Sequence, residues 1–177
     1  MEIKPSSPSH VPEFRRFWEA ALEYQRSSKL PLWPPYPVQL IDGEVRDGLH
    51  FSAFTPNGRM AGFFSLILSD PLIWEEQEKG DAIYIHRMCV NPACKGQRLA
   101  ASVLAWAYGY AASLGRRFVR MDTWADNEKL MTYYTACGFR VVNIRKIGII
   151  PGLSPHYYHN NLAMFENEVK AQAGSRS

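Results

Sequence analysis

Between Ile83 and Leu104 the chain reads IYIHRMCVNPACKGQRLAASVL. An alternating apolar strand ends at Asn91-Pro92, a short loop carries Lys95, Gly96, Gln97 and Arg98, and a helix opens near Leu99 and runs to Leu114 without a proline or a charge. A strand therefore feeds a helix through a basic turn. The first N–H groups of a helix have no intrahelical partner and carry its partial positive charge, so the turn is a ready site for a phosphate.

The flanking sequence extends this unit. Gly115 is a natural helix stop before Arg116-Arg117, and Phe118 to Trp124 reads as another strand. Strand, long helix and strand in succession imply a parallel pair joined by a right-handed crossover. Upstream, Leu49 to Thr55 and Met60 to Ser69 flank Asn57-Gly58, the signature of a tight hairpin, so the whole sheet must be mixed.

Glu2 to Pro5 reads as a short first strand, and Ser7-Pro8 as an N-cap followed by a proline suited to the first helical position. Val11, Phe14, Trp18, Ala21, Leu22 and Gln25 recur at helical spacing opposite Glu13, Arg15, Arg16, Glu19 and Glu23, which predicts an amphipathic helix ending near Arg26 to Lys29. The prolines of LPLWPPYP, Leu30 to Pro37, force a stiff extended loop that presents Trp33 and Tyr36, and a short helix from Val38 to Arg46 follows. Asp70 to Asp81 is expected to be an acidic loop with Glu75, Glu76 and Glu78. Asp126-Asn127 caps a helix running to Cys137, Gly138 stops it, and Phe139 to Lys146 and Tyr157 to Glu166 are the last strands. Residues 1–168 are expected to form one domain, with 169–177 a mobile tail.

An apolar fraction of 46% with 13% aromatics supplies a sizeable core and excludes a mostly disordered chain. Twenty basic residues against 17 acidic ones leave a charge of +3 without a large basic cluster, so nucleic acid is not the expected partner. Cys89, Cys94 and Cys137 are odd in number and lack metal-site spacing; a reducing cytoplasm suits them. The N-terminal MEIKPSSPSH lacks the apolar core of a signal peptide, and the run from Leu99 to Gly115 is short of a bilayer span, so no membrane partner is expected. His156 and His159 alone are weak metal ligands by spacing, and no metal is expected.

Two motifs, with the order of elements, resemble the GCN5-related N-acetyltransferase (GNAT) superfamily over most of the chain, from Met1 to about Glu166. The first is a strand, Val-x-Pro, then Arg/Gln-x-x-Gly-x-Gly/Ala at the helix start; here it is Val90-Asn91-Pro92, then Lys95-Gly96-Gln97-Arg98-Leu99-Ala100. The second, Asn-x-x-x-x-x-aromatic-Tyr-x-x-x-Gly-Phe, runs here from Asn127 through Tyr133-Tyr134 to Gly138-Phe139. The first departs twice, with Lys95 for the usual Arg or Gln and Arg98 for a glycine that lets backbone approach a pyrophosphate. Either the Arg98 side chain points away, or the loop shifts, or Arg98 adds a charge-assisted phosphate contact.

The resemblance implies an α/β fold with a mixed, mostly antiparallel sheet of six or seven strands, flanked by helices and splayed between its fourth and fifth strands. It also implies acetyl-CoA as cosubstrate and direct acetyl transfer to an amine, with a small molecule as the expected acceptor. The pantetheine arm would pair with the backbone of Met88, Cys89 and Val90, an N–H of Cys89 or Val90 facing the thioester oxygen. The amides of Gln97, Arg98, Leu99, Ala100 and Ala101, with Gly96 and Lys95, would hold the pyrophosphate. Asn127 would bond the pantetheine or cap its helix.

An alkylamine with a pKa near 10 must lose a proton before it attacks. His86 stands where many relatives carry a glutamate base, and imidazole suits that task. Tyr134 occupies the position whose phenol protonates the leaving thiolate. Trp33 and Tyr36 sit on the loop that often closes the acceptor pocket, and with the acidic loop they point to a cationic amine with apolar surface. Cys89 reads as a buried small side chain rather than a nucleophile. The rival reading is a CoA-binding module of the same fold without catalysis. A P-loop or dinucleotide enzyme lacks its fingerprint. Monomer and homodimer both stay open.

Overall fold

Seven strands form one sheet in the order β1-β2-β3-β4-β5-β7-β6, in a computed structural model that describes residues 1–169. The tail expected beyond Val169 lies outside the described residues. The strands are β1 (Glu2–Pro5), β2 (His50–Phe54), β3 (Met60–Ile67), β4 (Ala82–Val90), β5 (Phe118–Trp124), β6 (Val141–Lys146) and β7 (Asn161–Glu168). All neighbours are antiparallel except β4 and β5, whose parallel pairing carries the predicted crossover. This is the mixed, mostly antiparallel sheet with flanking helices that the sequence led us to expect.

The helices are α1 (Val11–Ser27), α2 (Val38–Arg46), α3 (Pro71–Trp74), α4 (Leu99–Ser113) and α5 (Glu128–Ala136). One sheet face packs α4 and α5 through Val103, Leu104, Ala107 and Tyr134 onto Phe64, Ile83, Ile85, Met121 and Phe165. The other face is covered in two places. Phe14, Phe17, Trp18 and Leu22 of α1 close over Phe63 and Cys89, and Ile73 and Trp74 of α3 close over Tyr84, Leu162 and Met164. Each fully buried side chain of this size contributes roughly 1.5–3 kcal/mol of transfer free energy, so packing rather than propensity fixes these short elements.

The ends of the elements follow local chemistry. The Ser7 side chain accepts from a backbone N–H while the N–H of Ser7 donates to His10, a reciprocal cap on the turn that leads into α1. Gly58, at φ 77°, makes the β2–β3 turn. Gly62 is required for another reason: a Cβ there would lie 2.4 Å from the Cys89 carbonyl oxygen and 2.6 Å from a Leu99 methyl. The absent side chain lets β3, β4 and the start of α4 meet.

Three boundaries differ from the sequence reading. The Asp70 to Asp81 segment is not all loop, because Pro71 opens a helical turn and Ile73 and Trp74 are buried by it. The sixth strand begins at Val141 rather than Phe139, whose ring is held in the core against Tyr134 and Phe165. The last strand begins at Asn161, because Pro155 starts a tight turn and the Tyr158 hydroxyl staples the loop by donating to the Ile150 and Leu153 carbonyls. Among the described residues no helix is long and apolar enough to cross a membrane.

Candidate active site

The parallel pairing of β4 with β5 covers only four positions, from Ala82↔Phe118 to Ile85↔Met121. Beyond Ile85 the two strands part, while β4 continues to pair with β3 as far as Val90. One cause is a bulge. Phe63 opposes Cys89 but Ser65 opposes His86, so β4 holds one extra residue, and Arg87 takes the left-handed φ of 52°. The bulge turns the Arg87 side chain away from the split. Its guanidinium bonds the Glu44 carboxylate of α2 and, at 3.2 Å, the Ser65 hydroxyl, which itself donates to Glu44 at 2.6 Å.

After the bulge, strand alternation decides which amides face the gap. The Asn91 N–H donates to the Ala61 carbonyl, so Cys89, two residues back, also faces β3 and Val90 faces the open side. Of the two amides expected near a thioester oxygen, the geometry favours Val90. Cys89 is 2% exposed and burial pushes its thiol pKa far up, so it remains a neutral apolar side chain. Met88 packs against the α4 side of the core.

His86 lies at the head of the split. Its Nε2 is 3.2 Å from Asp70 Oδ2, both side chains being more than nine-tenths buried, yet the two atoms lack the alignment of a hydrogen bond and neither has another partner. Asp122 completes the group. It stands one position beyond the last β4–β5 pair, on the β5 face shared by Phe118 and Trp124, and one donor atom from each of Asp70, His86 and Asp122 lies within 4.8 Å of the others. Burial pushes the Asp122 pKa up to about 6, offset by the attraction of His86; Asp70 raises it further, while Arg87 and the Tyr157 hydroxyl lower it.

Sequence reasoning missed both carboxylates. A charge in the middle of FVRMDTW was a signal for Asp122. Asp70 offered none, because its meeting with His86 depends on how β3 leads into α3.

The basic loop and the start of α4 come together with α5. Arg98 is the residue before the first turn of α4 and takes φ 54° and ψ 45°, the conformation for which a glycine is the usual choice. Its side chain points away along α5 and donates to the Ala136 carbonyl at 3.0 Å, one of the three outcomes its position allowed. Among the described residues, the N–H groups of Gly96, Leu99 and Ala101 make no hydrogen bond, whereas that of Ala100 donates to the Tyr133 hydroxyl at 3.3 Å. Lys95 lies over the Tyr24 ring of α1 at 5.2 Å. Gln97, with Thr55, Pro56, Asn57, Arg59 and Cys94, lines a depression of about 370 Å³, which brings Arg59 as a further cation to this end of the molecule.

Tyr134 is 7% exposed on the α5 side of the sheet, edge-on to Phe139 and Phe165, and burial pushes its hydroxyl pKa well above the ordinary 10. Tyr133, Asp122, Cys137 and Cys89 add to that shift. Asn127 caps α5, its side chain accepting from the Leu130 N–H at 3.1 Å. Trp33 and Tyr36 pack on Trp18 of α1, centroids 4.6 and 5.9 Å away, and Tyr36 keeps a buried hydroxyl without a partner.

The acidic loop is largely committed. Glu75 pairs with Arg145 at 2.5 Å, and Glu78 accepts from the N–H groups of Asp70 and Gly80 at 2.7 Å each. Only Glu76 of the three is left without a bond among the described residues. His156 accepts or shares a proton with Ser154 at 2.8 Å and stacks on Trp124, its pKa lowered by burial to about 4.

Comparison with known proteins agrees with this architecture. Residues 18–139 match the Acetyltransferase (GNAT) family. A Bacillus subtilis relative, the uncharacterized N-acetyltransferase YesJ, is 26% identical over 136 residues, 75% of this chain and 68% of its own. A GNAT-family acetyltransferase from Listeria monocytogenes superposes with a TM-score of 0.68 at 18% identity, over 94% of each chain. The Salmonella typhimurium protein yncA, whose structure holds its cofactor acetyl-CoA, gives 0.65 at 16% identity over all of this chain and 98% of its own. With a seven-stranded sheet split between β4 and β5, and a family match over residues 18–139, the chain belongs to the GNAT N-acetyltransferases.

Proposed function

We propose that the protein transfers the acetyl group of acetyl-CoA directly to a primary amine of a small molecule, with His86 as base and Tyr134 as acid. The observation that carries the reading is the arrangement at the split: His86 faces it from the α3 side of the sheet and Tyr134 from the α5 side. A thioester lying in the gap would have one group on each side. The pyrophosphate would take the unbonded amides at the start of α4, with Lys95 and Arg59 nearby, and Asn127 would hold α5 in register against the pantetheine.

The amine nitrogen attacks the thioester carbonyl carbon; a C–N bond forms and the C–S bond breaks. One amine proton leaves through His86. A second replaces the proton that Tyr134 gives to the thiolate, so the products are an N-acetyl amide, the CoA thiol and one released proton. The Val90 N–H facing the gap is suited to the carbonyl oxygen as it gains charge. Burial keeps Tyr134 protonated until the thiolate forms beside it, as an acid needs.

Release of free thiol from acetyl-CoA across a panel of amines tests the reading. His86→Ala should lower turnover by about 10² to 10⁴ and flatten its rise with pH, and Tyr134→Phe should slow turnover while CoA binding stays near that of the parent. CoA binding with no amine turned over would instead favour a binding module. Trp33 and Tyr36 are proposed to wall the acceptor entrance rather than touch the reacting nitrogen, because both are held on Trp18.

A further inference from the structure

The acceptor class is written in the charges around His86. Asp70 and Asp122 bring two carboxylates to one buried point, and the nearest fixed cation, Arg87, is already committed to Glu44 and Ser65. Asp70 Oδ2 and His86 Nε2 are more than nine-tenths buried and have no hydrogen-bond partner. Asp70 has only the unaligned His86 ring beside it and Asp122 is met by the Tyr157 hydroxyl. Two carboxylates thus share one buried point with fewer donors than they can use, a costly arrangement that a further donor would relieve. Beside the carboxylates stand aromatic faces. Trp124, on the same face of β5 as Asp122, stacks on His156 at 5.8 Å and lies 5.8 Å from Tyr157, and its indole N–H is also buried without a partner.

We infer that Asp122 and Asp70 anchor the acceptor as a primary alkylammonium ion, with Trp124 and Tyr157 against its carbon chain, and that Asp122 is a specificity-determining residue of the acetyl transfer proposed above. The inference rests on that reading for its catalytic half only. Acceptors on a tetrahedral ammonium at about 2.8 Å stand about 4.6 Å apart, whereas ligands on a tetrahedral metal ion at about 2.1 Å stand about 3.4 Å apart. His86 Nε2 and Asp70 Oδ2 are 3.2 Å apart and the three donor atoms span no more than 4.8 Å, so spacing does not separate the two cations and the choice rests on the aromatic wall. An aromatic wall beside the charge adds cation–π attraction that a metal site does not use. The ammonium then sits next to His86, the group proposed to take its proton.

Binding can be read without turnover. With the protein saturated with CoA, titration of 1-aminohexane and of 1-hexanol by calorimetry should show the amine binding at least tenfold tighter. Asp122→Asn should remove that preference, and Asp122→Glu should restore part of it. In steady state the same Asp122→Asn substitution should raise KM for alkylamines at least tenfold with a smaller change in kcat. Equal binding of amine and alcohol, or a preference untouched in Asp122→Asn, would overturn the inference. So would stoichiometric binding of Mn²⁺ or Zn²⁺ that depends on Asp122 and excludes the amine. Absence of thiol release with any amine would reject the proposed catalysis and leave the ammonium preference, measured on its own, as support for the anchor.

Discussion

Asp122 lowers the stability of the fold that holds it, and pH exposes the cost. Its folded pKa is about 6, raised by burial, against an ordinary value of about 3.9. The groups facing it are His86 and Arg87 on β4, Asp70 ahead of α3, and Tyr157 ahead of β7. Above pH 6 the carboxylate is ionised in folded and unfolded chains alike, and the fold bears the full penalty. Between 6 and 3.9 the folded chain takes up a proton first, so the penalty shrinks, and below 3.9 it is gone. A two-unit shift corresponds to about 3 kcal/mol, and partial exposure of the side chain lowers the expected effect to roughly 1–2 kcal/mol. Asp122→Asn should therefore be more stable than the parent by that amount in urea at pH 8, and the gain should fade as pH drops through 6 toward 4. A gain independent of pH would mean that the carboxylate is not desolvated. A residue kept at such a cost is what a ligand-binding group looks like in a structure.

The junction of β4 with α4 carries the departure from the family motif, and Arg98 there combines a gain with a strain. Its left-handed backbone costs a side-chain-bearing residue about 1–2 kcal/mol, while its guanidinium ties the start of α4 to the end of α5 through Ala136. Arg98→Gly removes both and should leave stability within about 1 kcal/mol of the parent. Arg98→Ala keeps the strain and loses the bond, and should cost about 0.5–1.5 kcal/mol. Urea midpoints of the two variants check this, and an equal loss in both would show that the strain is not relieved by glycine. The end of β4 and the caps of α5 were legible in the sequence because Asn91-Pro92, Asn127 and Gly138 act on their neighbours. Arg98 was legible only as a question, since nothing in its own side chain chooses among three directions. The meeting of Asp70, His86 and Asp122 was not legible, because it depends on the register of two strands joined by a long crossover. The acidic loop misled for a related reason: Glu75 and Glu78 look free in sequence, and their partners Arg145, Asp70 and Gly80 are supplied by the fold.

The described residues form two sheet halves, β1 to β4 and β5 to β7, joined by four parallel pairs, by the helices packed on both faces and by a buried cluster around Arg120. Arg120 of β5 bonds Glu166 of β7 at 2.8 Å, Tyr84 of β4 at 2.9 Å and the Gln77 carbonyl at 3.0 Å, and it lies over the Trp74 ring. This cluster closes the lower end of the split and leaves the upper end, with the Val90 N–H and the Leu99 and Ala101 amides of α4, without protein partners among the described residues. A cosubstrate lying in the split would complete the hydrogen bonding of both halves at once. Hydrogen exchange with and without acetyl-CoA should then show new protection confined to Met88 to Val90 and the first turn of α4, with β1 and β2 unchanged. Binding at a hundred times the dissociation constant should add about 2.7 kcal/mol, and for a chain of this size raise Tm by about 5–10 °C. Protection spread evenly over the sheet, or a rise in Tm without protection at β4, would place the cosubstrate elsewhere. Because Arg120 holds the closed end without touching the split, Arg120→Ala should lower the stability of the free protein by about 3–5 kcal/mol through the carboxylates it leaves unpaired. The pattern of acetyl-CoA protection at β4 should survive in the fraction that stays folded.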